Sequence, residues 1–184
     1  MSEKKIALPM FFSYFEWAFD DKGPLAEKGE DTYLEESLKS DGSKLSAVEV
    51  DKDYFFNGPE GKVGLLDLFD GRKQLIVGHF MFDPSWDKGC PDCSAVADQI
   101  SDTSLRYLHE QNTSFAYVSR APLAKIEKYK HSKGWSFPWY SSYDSDYNYD
   151  FKATTDEGEM PGGSVFRRKE NSIFQINHAE TSTN

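Results

Sequence analysis

Residues 74–93 read QLIVGHFMFDPSWDKGCPDC, and this stretch decides the fold. Its first nine residues, Gln74 to Phe82, are almost continuously apolar, the pattern of a strand covered on both faces of a parallel sheet. The loop DPSWDKG follows, and Pro91 then suits the first position of a helix supplied by the run CSAVADQISDTSLRYLHE, with an interruption expected near Asp102. A Cys-x-x-Cys placed directly after a buried strand and at a helix N-terminus carries a mechanism. The free backbone N–H groups and the helix dipole stabilise a thiolate there, and a pKa drop from about 8.5 to about 7 raises the thiolate fraction at neutral pH from a few per cent to about half. Cys90 is then the accessible nucleophile. Cys93, one helical turn further on, is the resolving thiol, close enough to form a small disulfide ring. Asp92 between them works the other way, because a nearby carboxylate disfavours the thiolate.

Outward from this segment the chain alternates. Thr113 to Arg120 (TSFAYVSR) reads as a second strand, and Pro122 opens a helix through His131 that Gly134 ends. Upstream, VEVDKDYFF (48–56), the turn Asn57 to Lys62 and VGLLDLFDG (63–71) read as a hairpin followed by a short helix. Downstream, FPWYSSYDSDYNYDF (137–151) is an aromatic, polar loop with one helical turn, and Gly163–Arg168 with Ser172–Ile176 form a closing hairpin. The order β-β-α-β-α-β-α-β-β predicts an α/β domain, a mostly parallel central sheet with helices on both faces. Residues 48–177 make this domain. Residues 1–47 are an extension carrying the aromatic cluster Phe11, Phe12, Tyr14, Phe15, Trp17 and Phe19, with Ser37 to Ala47 as linker, and residues 178–184 are expected to be a disordered tail.

Composition narrows the function. A net charge of −10 repels nucleic acid and anionic membrane. No stretch reaches the roughly 18 apolar residues of a membrane span, and the acidic start does not resemble a secretory signal, so a cytoplasmic location is expected. The chain has only 2 cysteines, and their close spacing points to chemistry instead of a structural staple. A zinc site would need two further ligands from His79, His109, His131 and His178, none at metal-ligand spacing. Two inert thiols packed at a helix start are the other plain reading. Arg120, at the carboxyl end of a strand, suits a thiolate or substrate anion, or simply caps the strand in solvent. His79 on the central strand reads as a core histidine. Trp86, in the loop before the cysteines, and Trp139, in the aromatic loop, are the expected substrate contacts.

The segments LLDLFDGRKQLIVGHFMFDPSWDKGCPDC, VSRAPLAKIEKYKHSKGWSFPWYSSYDSDYNYDF and MPGGSVF together resemble the thioredoxin-like family catalogued as domain of unknown function 899, often labelled predicted dithiol-disulfide oxidoreductases. The resemblance spans about Val48 to Phe166. It implies a thioredoxin fold of the peroxiredoxin branch, with the dithiol pair at Cys90 and Cys93 and no defined substrate. By the thioredoxin-like pattern, Pro161 is expected to be a cis-proline beside the dithiol, at the start of Pro161-Gly162-Gly163-Ser164-Val165-Phe166. Asp92 departs from the glycine or serine usual there. Members usually continue past the last hairpin into a tyrosine-rich tail, so the face that tail covers is expected to fall to residues 1–48, a homodimer or a partner.

The leading function is therefore a thiol-disulfide oxidoreductase acting on a protein or small-molecule disulfide, with no cofactor. A peroxidase using Cys93 places Trp86 and Cys90 where the peroxiredoxin motif has proline and threonine, and both mismatch. Copper(I) binding by Cys90, Cys93 and His79 is an alternative, since soft thiolates suit that ion. A small-molecule enzyme using Arg120, the 137–151 loop and the N-terminal extension is another, because one fold hosts many functions.

Overall fold

A computed structural model describes residues 45–178. The N-terminal aromatic cluster and residues 179–184 of the expected tail lie outside the described residues. The strands are β1 (Leu45–Val50), β2 (Phe55–Gly58), β3 (Gly61–Gly64), β4 (Gln74–His79), β5 (Thr113–Ser119), β6 (Trp139–Ser141), β7 (Thr154–Thr155), β8 (Gly158–Glu159), β9 (Gly162–Lys169) and β10 (Ser172–His178). The helices are α1 (Pro91–Ala97), α2 (Asp102–Glu110), α3 (Leu123–Lys133) and the single turn α4 (Tyr147–Asp150), with a 3-10 turn at Asp67–Phe69. None of these helices is long and apolar enough to cross a membrane.

Eight strands form one sheet in the order β1-β10-β9-β4-β5-β6-β2-β3, and β7 with β8 makes a separate ribbon. The mostly parallel sheet expected from the sequence is corrected here. Only β4 with β5 and β5 with β6 run parallel, while β9 lies antiparallel beside β4 and the remaining neighbours are antiparallel too. The apolar run of β4 reports burial on both faces, which an antiparallel neighbour satisfies as well as a parallel one. The stretch 48–56 is also not one hairpin arm. Val50 ends β1, which pairs with β10 at one edge, and Phe55 begins β2 near the other. Strand β1 starts at Leu45, inside the expected linker, and His178, expected in the tail, ends β10.

Alternate residues of the central strands feed two cores, one on each face. Ile76, Phe115, Tyr117 and Val165 point to the first, with Ala97, Leu108 and Ile126 from α1, α2 and α3. Leu75, Val77, Ala116, Val118 and Phe166 point to the second, under Tyr54, Leu68, Phe69 and Tyr147. Gly78 on β4 is required by close approach, since a Cβ there lies 2.5 Å from Tyr117 Cε1.

Local signals end the helices where the sequence predicts. Ser101 caps α2 in a reciprocal capping box with Ser104, which breaks the run after α1. Gly134, at φ 71°, ends α3 in the left-handed conformation. The 137–151 stretch contains a strand that its polar, aromatic composition hid. Strand β6 has three residues, paired through Tyr117 with Trp139 and Ser119 with Ser141.

Candidate functional site

Cys90 is the N-cap of α1, with Pro91 at the first helical position as the sequence predicts. Its own N–H donates to Met81 O at 3.0 Å, which closes the base of the loop running from the end of β4. Its carbonyl accepts from Ser94 N at 3.0 Å and Ser94 Oγ at 2.8 Å. Cys90 and Cys93 are both free thiols, 3.7 Å apart.

The two thiols are driven apart in acidity. The Cys93 thiol donates to Cys90 sulfur, and the backbone N–H groups of Cys93 and Asp92 add to it, so Cys90 is pulled down to about 6 against the opposing effects of burial and the Asp92 carboxylate. Cys93 moves strongly the other way, because it is the donor to Cys90 and is partly withdrawn from solvent. It packs against the aromatic core, where burial of the Tyr117 hydroxyl, with a smaller effect from Cys93, raises the Tyr117 pKa. The opposing action of Asp92 agrees with the sequence. The accessibility of Cys90 does not: it is only 8% exposed, whereas Cys93 is half-buried.

The other predicted residues divide. Arg120 is held by carboxylates, with Nη1 3.2 Å from Glu159 Oε1 and Nη2 3.7 Å from Asp83 Oδ2, and its guanidinium lies over the Tyr149 ring at 5.1 Å. The Glu159 side chain is 2% exposed, and burial raises its pKa despite Arg120 and the Thr154 hydroxyl. Arg120 therefore balances a buried carboxylate. Trp86 is exposed on the loop before Cys90, as a surface contact requires. Trp139 is corrected to a core residue, because its ring is buried and its Nε1 donates to Ser119 Oγ at 2.9 Å.

Pro161 is also corrected, since the described residues contain no cis peptide bond. Met160 N donates to Ala153 O at 2.8 Å, so the chain leaves the β7–β8 ribbon already directed into β9. His79 Nε2 lies 3.2 Å from Ser164 Oγ in the core, and burial lowers its pKa to about 4. Among the described residues no three metal-ligating side chains gather, so the copper site of Cys90, Cys93 and His79 is not assembled. Sequence reasoning missed Ser94, Lys125, Tyr129 and Glu159. The four-residue spacings of Ser94 after Cys90 and of Tyr129 after Lys125 were the signals available.

The sequence matches the family described as "Bacterial protein of unknown function (DUF899)" over residues 8–181. The chain belongs to that family. No curated protein matches the DUF899 chain. Among solved structures, peroxidoxin BcpB from Mycobacterium tuberculosis is similar to it at TM-score 0.52 and 15% identity, covering 76% of this chain and 89% of that one. A PrxQ cysteine-to-serine mutant from Xylella fastidiosa is similar at TM-score 0.50 and 13% identity, covering 76% and 90%. These likenesses establish a thioredoxin-like α/β fold for the DUF899 chain.

Proposed function

We propose that this protein is a thiol-disulfide oxidoreductase in which Cys90 is the nucleophile and Cys93 the resolving thiol. The observation that carries the reading is the pair itself: two free thiols 3.7 Å apart at a helix start, with Cys90 lowered and Cys93 raised in pKa. With Cys90 at about 6, roughly nine in ten Cys90 sulfurs are thiolate at neutral pH.

Cys90 thiolate attacks one sulfur of a disulfide, forming a mixed disulfide and expelling the other sulfur as a thiolate that takes a proton from water. Cys93 then loses its proton to solvent and attacks Cys90 sulfur, releasing the second substrate thiol. The substrate gains two electrons, and Cys90 and Cys93 are oxidised to a disulfide. An external dithiol reverses the change. The raised pKa of Cys93 supports this order, because the resolving thiol stays protonated until the mixed disulfide replaces the Cys90 anion beside it. The partner is a disulfide-bearing protein or small molecule.

The test is equilibration of the pair against a dithiothreitol and glutathione series, read by thiol alkylation and mass. A reversible internal disulfide with a potential of roughly −120 to −270 mV is expected, and Cys90→Ser abolishes disulfide reduction. Thiols that never pair, or a Cys90→Ser protein that still reduces disulfides, overturn the mechanism.

A further inference from the structure

One face of α3 holds the chain on both sides of Cys90. On the upstream side, Lys125 Nζ donates to Pro84 O and to Trp86 O, each at 2.8 Å. Asp83 Oδ1 turns the same loop by accepting from Ser85 N at 2.8 Å and Ser85 Oγ at 2.6 Å. The Cys90 N–H to Met81 O bond shuts the base of the loop. Tyr129 stands four residues after Lys125, on the same face of the helix. On the downstream side its hydroxyl lies 3.0 Å from Ser94 Oγ, which in turn donates to Cys90 O. Its ring also walls in Gly89, where a Cβ would stand 3.0 Å from Tyr129 Cε1 and 2.6 Å from Phe80 Cε1. Between these two holds lies Cys90, a residue 8% exposed whose thiol is lowered in pKa.

Where a segment beside a nucleophile is tied by a few hydrogen bonds and lies over it, the reach of the nucleophile is set by those bonds. We propose that Lys125 is a specificity-determining residue: by tying down the loop Asp83–Gly89 it admits small disulfides to Cys90 and excludes disulfides on folded proteins until the loop is released. The biological meaning of this clamp rests on the oxidoreductase reading, while its geometry does not. Lys125 touches no reacting atom, so it is a positioning residue. Releasing the loop breaks two hydrogen bonds donated by an ammonium group, and it leaves the Asp92 and Cys93 N–H groups on Cys90 in place.

The clamp is tested on the full chain carrying Cys93→Ser, so that Cys90 is the sole thiol. Labelling rates are measured with N-ethylmaleimide and with a maleimide attached to a folded carrier protein, across a pH series. Lys125→Met is expected to raise the carrier rate relative to the N-ethylmaleimide rate by about tenfold, the weight of bonds to a charged donor. Lys125→Arg, which keeps N–H donors, restores discrimination. The pH midpoint of N-ethylmaleimide labelling stays where it was, since Lys125 governs access and not acidity. A folded Lys125→Met protein with an unchanged ratio overturns the proposal, as does a rise of both rates in parallel.

If Lys125→Met does not fold, the parent is labelled in urea below its unfolding transition. Carrier labelling must then rise before N-ethylmaleimide labelling and before the global transition, and coincident rises overturn the clamp. A wild-type chain whose Cys90 and Cys93 never form a reversible disulfide counts against the oxidoreductase reading alone, because the size ratio tests the clamp whether or not the two thiols pair.

Discussion

At Cys90 three donors compete with burial and with the Asp92 carboxylate, and the donors prevail. Two of them are backbone N–H groups that side-chain substitution leaves in place. Asp92→Asn is therefore expected to lower the Cys90 midpoint further, and Cys93→Ala to raise it, since the Cys93 thiol is the largest single cause. Ultraviolet thiolate absorbance across a pH series checks both directions. The same depression ties stability to pH in the reduced protein. The contribution is fully present above the unfolded thiol value, about 8.5, and is lost as pH falls through about 6. His79 adds a second dependence. It is buried and neutral in the fold with a pKa near 4, so below about 6.5 the unfolded chain binds the extra proton. Stability is expected to fall by up to about 3 kcal/mol between pH 6.5 and pH 4 from this residue. Urea midpoints should show a shallower acid slope in His79→Gln than in the wild type, and equal slopes would refute the assignment.

Among the elements, β4 and α1 form the unit that presents the dithiol, and its packing leaves no slack. Gly78 lies against the Tyr117 ring in the core on which Cys93 rests. Gly78→Ala pushes a methyl group into that ring and is expected to cost about 1–3 kcal/mol, the usual range for overpacking a core. Chemical unfolding measures it, and a loss under about half a kilocalorie would show that the ring moves aside freely. The break between α1 and α2 is equally local in origin, because Ser101 and Ser104 satisfy each other's backbone N–H groups. Helix α3 shows the opposite case. Its ends follow from Pro122 and Gly134, whereas the role of its Lys125 and Tyr129 face exists only because the fold lays that face along the Cys90 loop.

Across the whole molecule, Arg120 joins three parts of the chain: Asp83 after β4, Tyr149 in α4 and Glu159 in β8. Removing it takes away the cation that the described residues place beside a carboxylate that is 2% exposed. Arg120→Ala is expected to destabilise the protein by about 3 kcal/mol at neutral pH, the cost of breaking a buried pair. The sign with pH follows from Glu159, whose pKa burial already raises. Below that pKa the carboxyl is neutral and needs no partner, so the deficit shrinks as the solution is acidified from neutral pH through the Glu159 pKa. Urea midpoints of wild type and variant across an acid pH series test this, and a deficit independent of pH would locate the loss in packing on Tyr149 instead.

The sequence by itself determined the features that depend on neighbours along the chain. These are the buried strand at Gln74–His79, the dithiol at the start of α1, the break near Asp102, the Gly134 stop and the β9–β10 hairpin, each set by local backbone sterics and hydrophobic period. Asp92 was legible as an opponent of the thiolate for the same reason, since it sits beside Cys90 in the chain. Tertiary structure decided what depends on partners far away in sequence. The direction of β9 beside β4, the crossing of the chain from β1 to β2 at opposite ends of the sheet, and the burial of Trp139 and Cys90 belong to this class. Burial on two faces leaves the same apolar signature whichever way the neighbouring strand runs, and an aromatic residue reads alike in a loop or a core, so only the long-range pairings distinguish them.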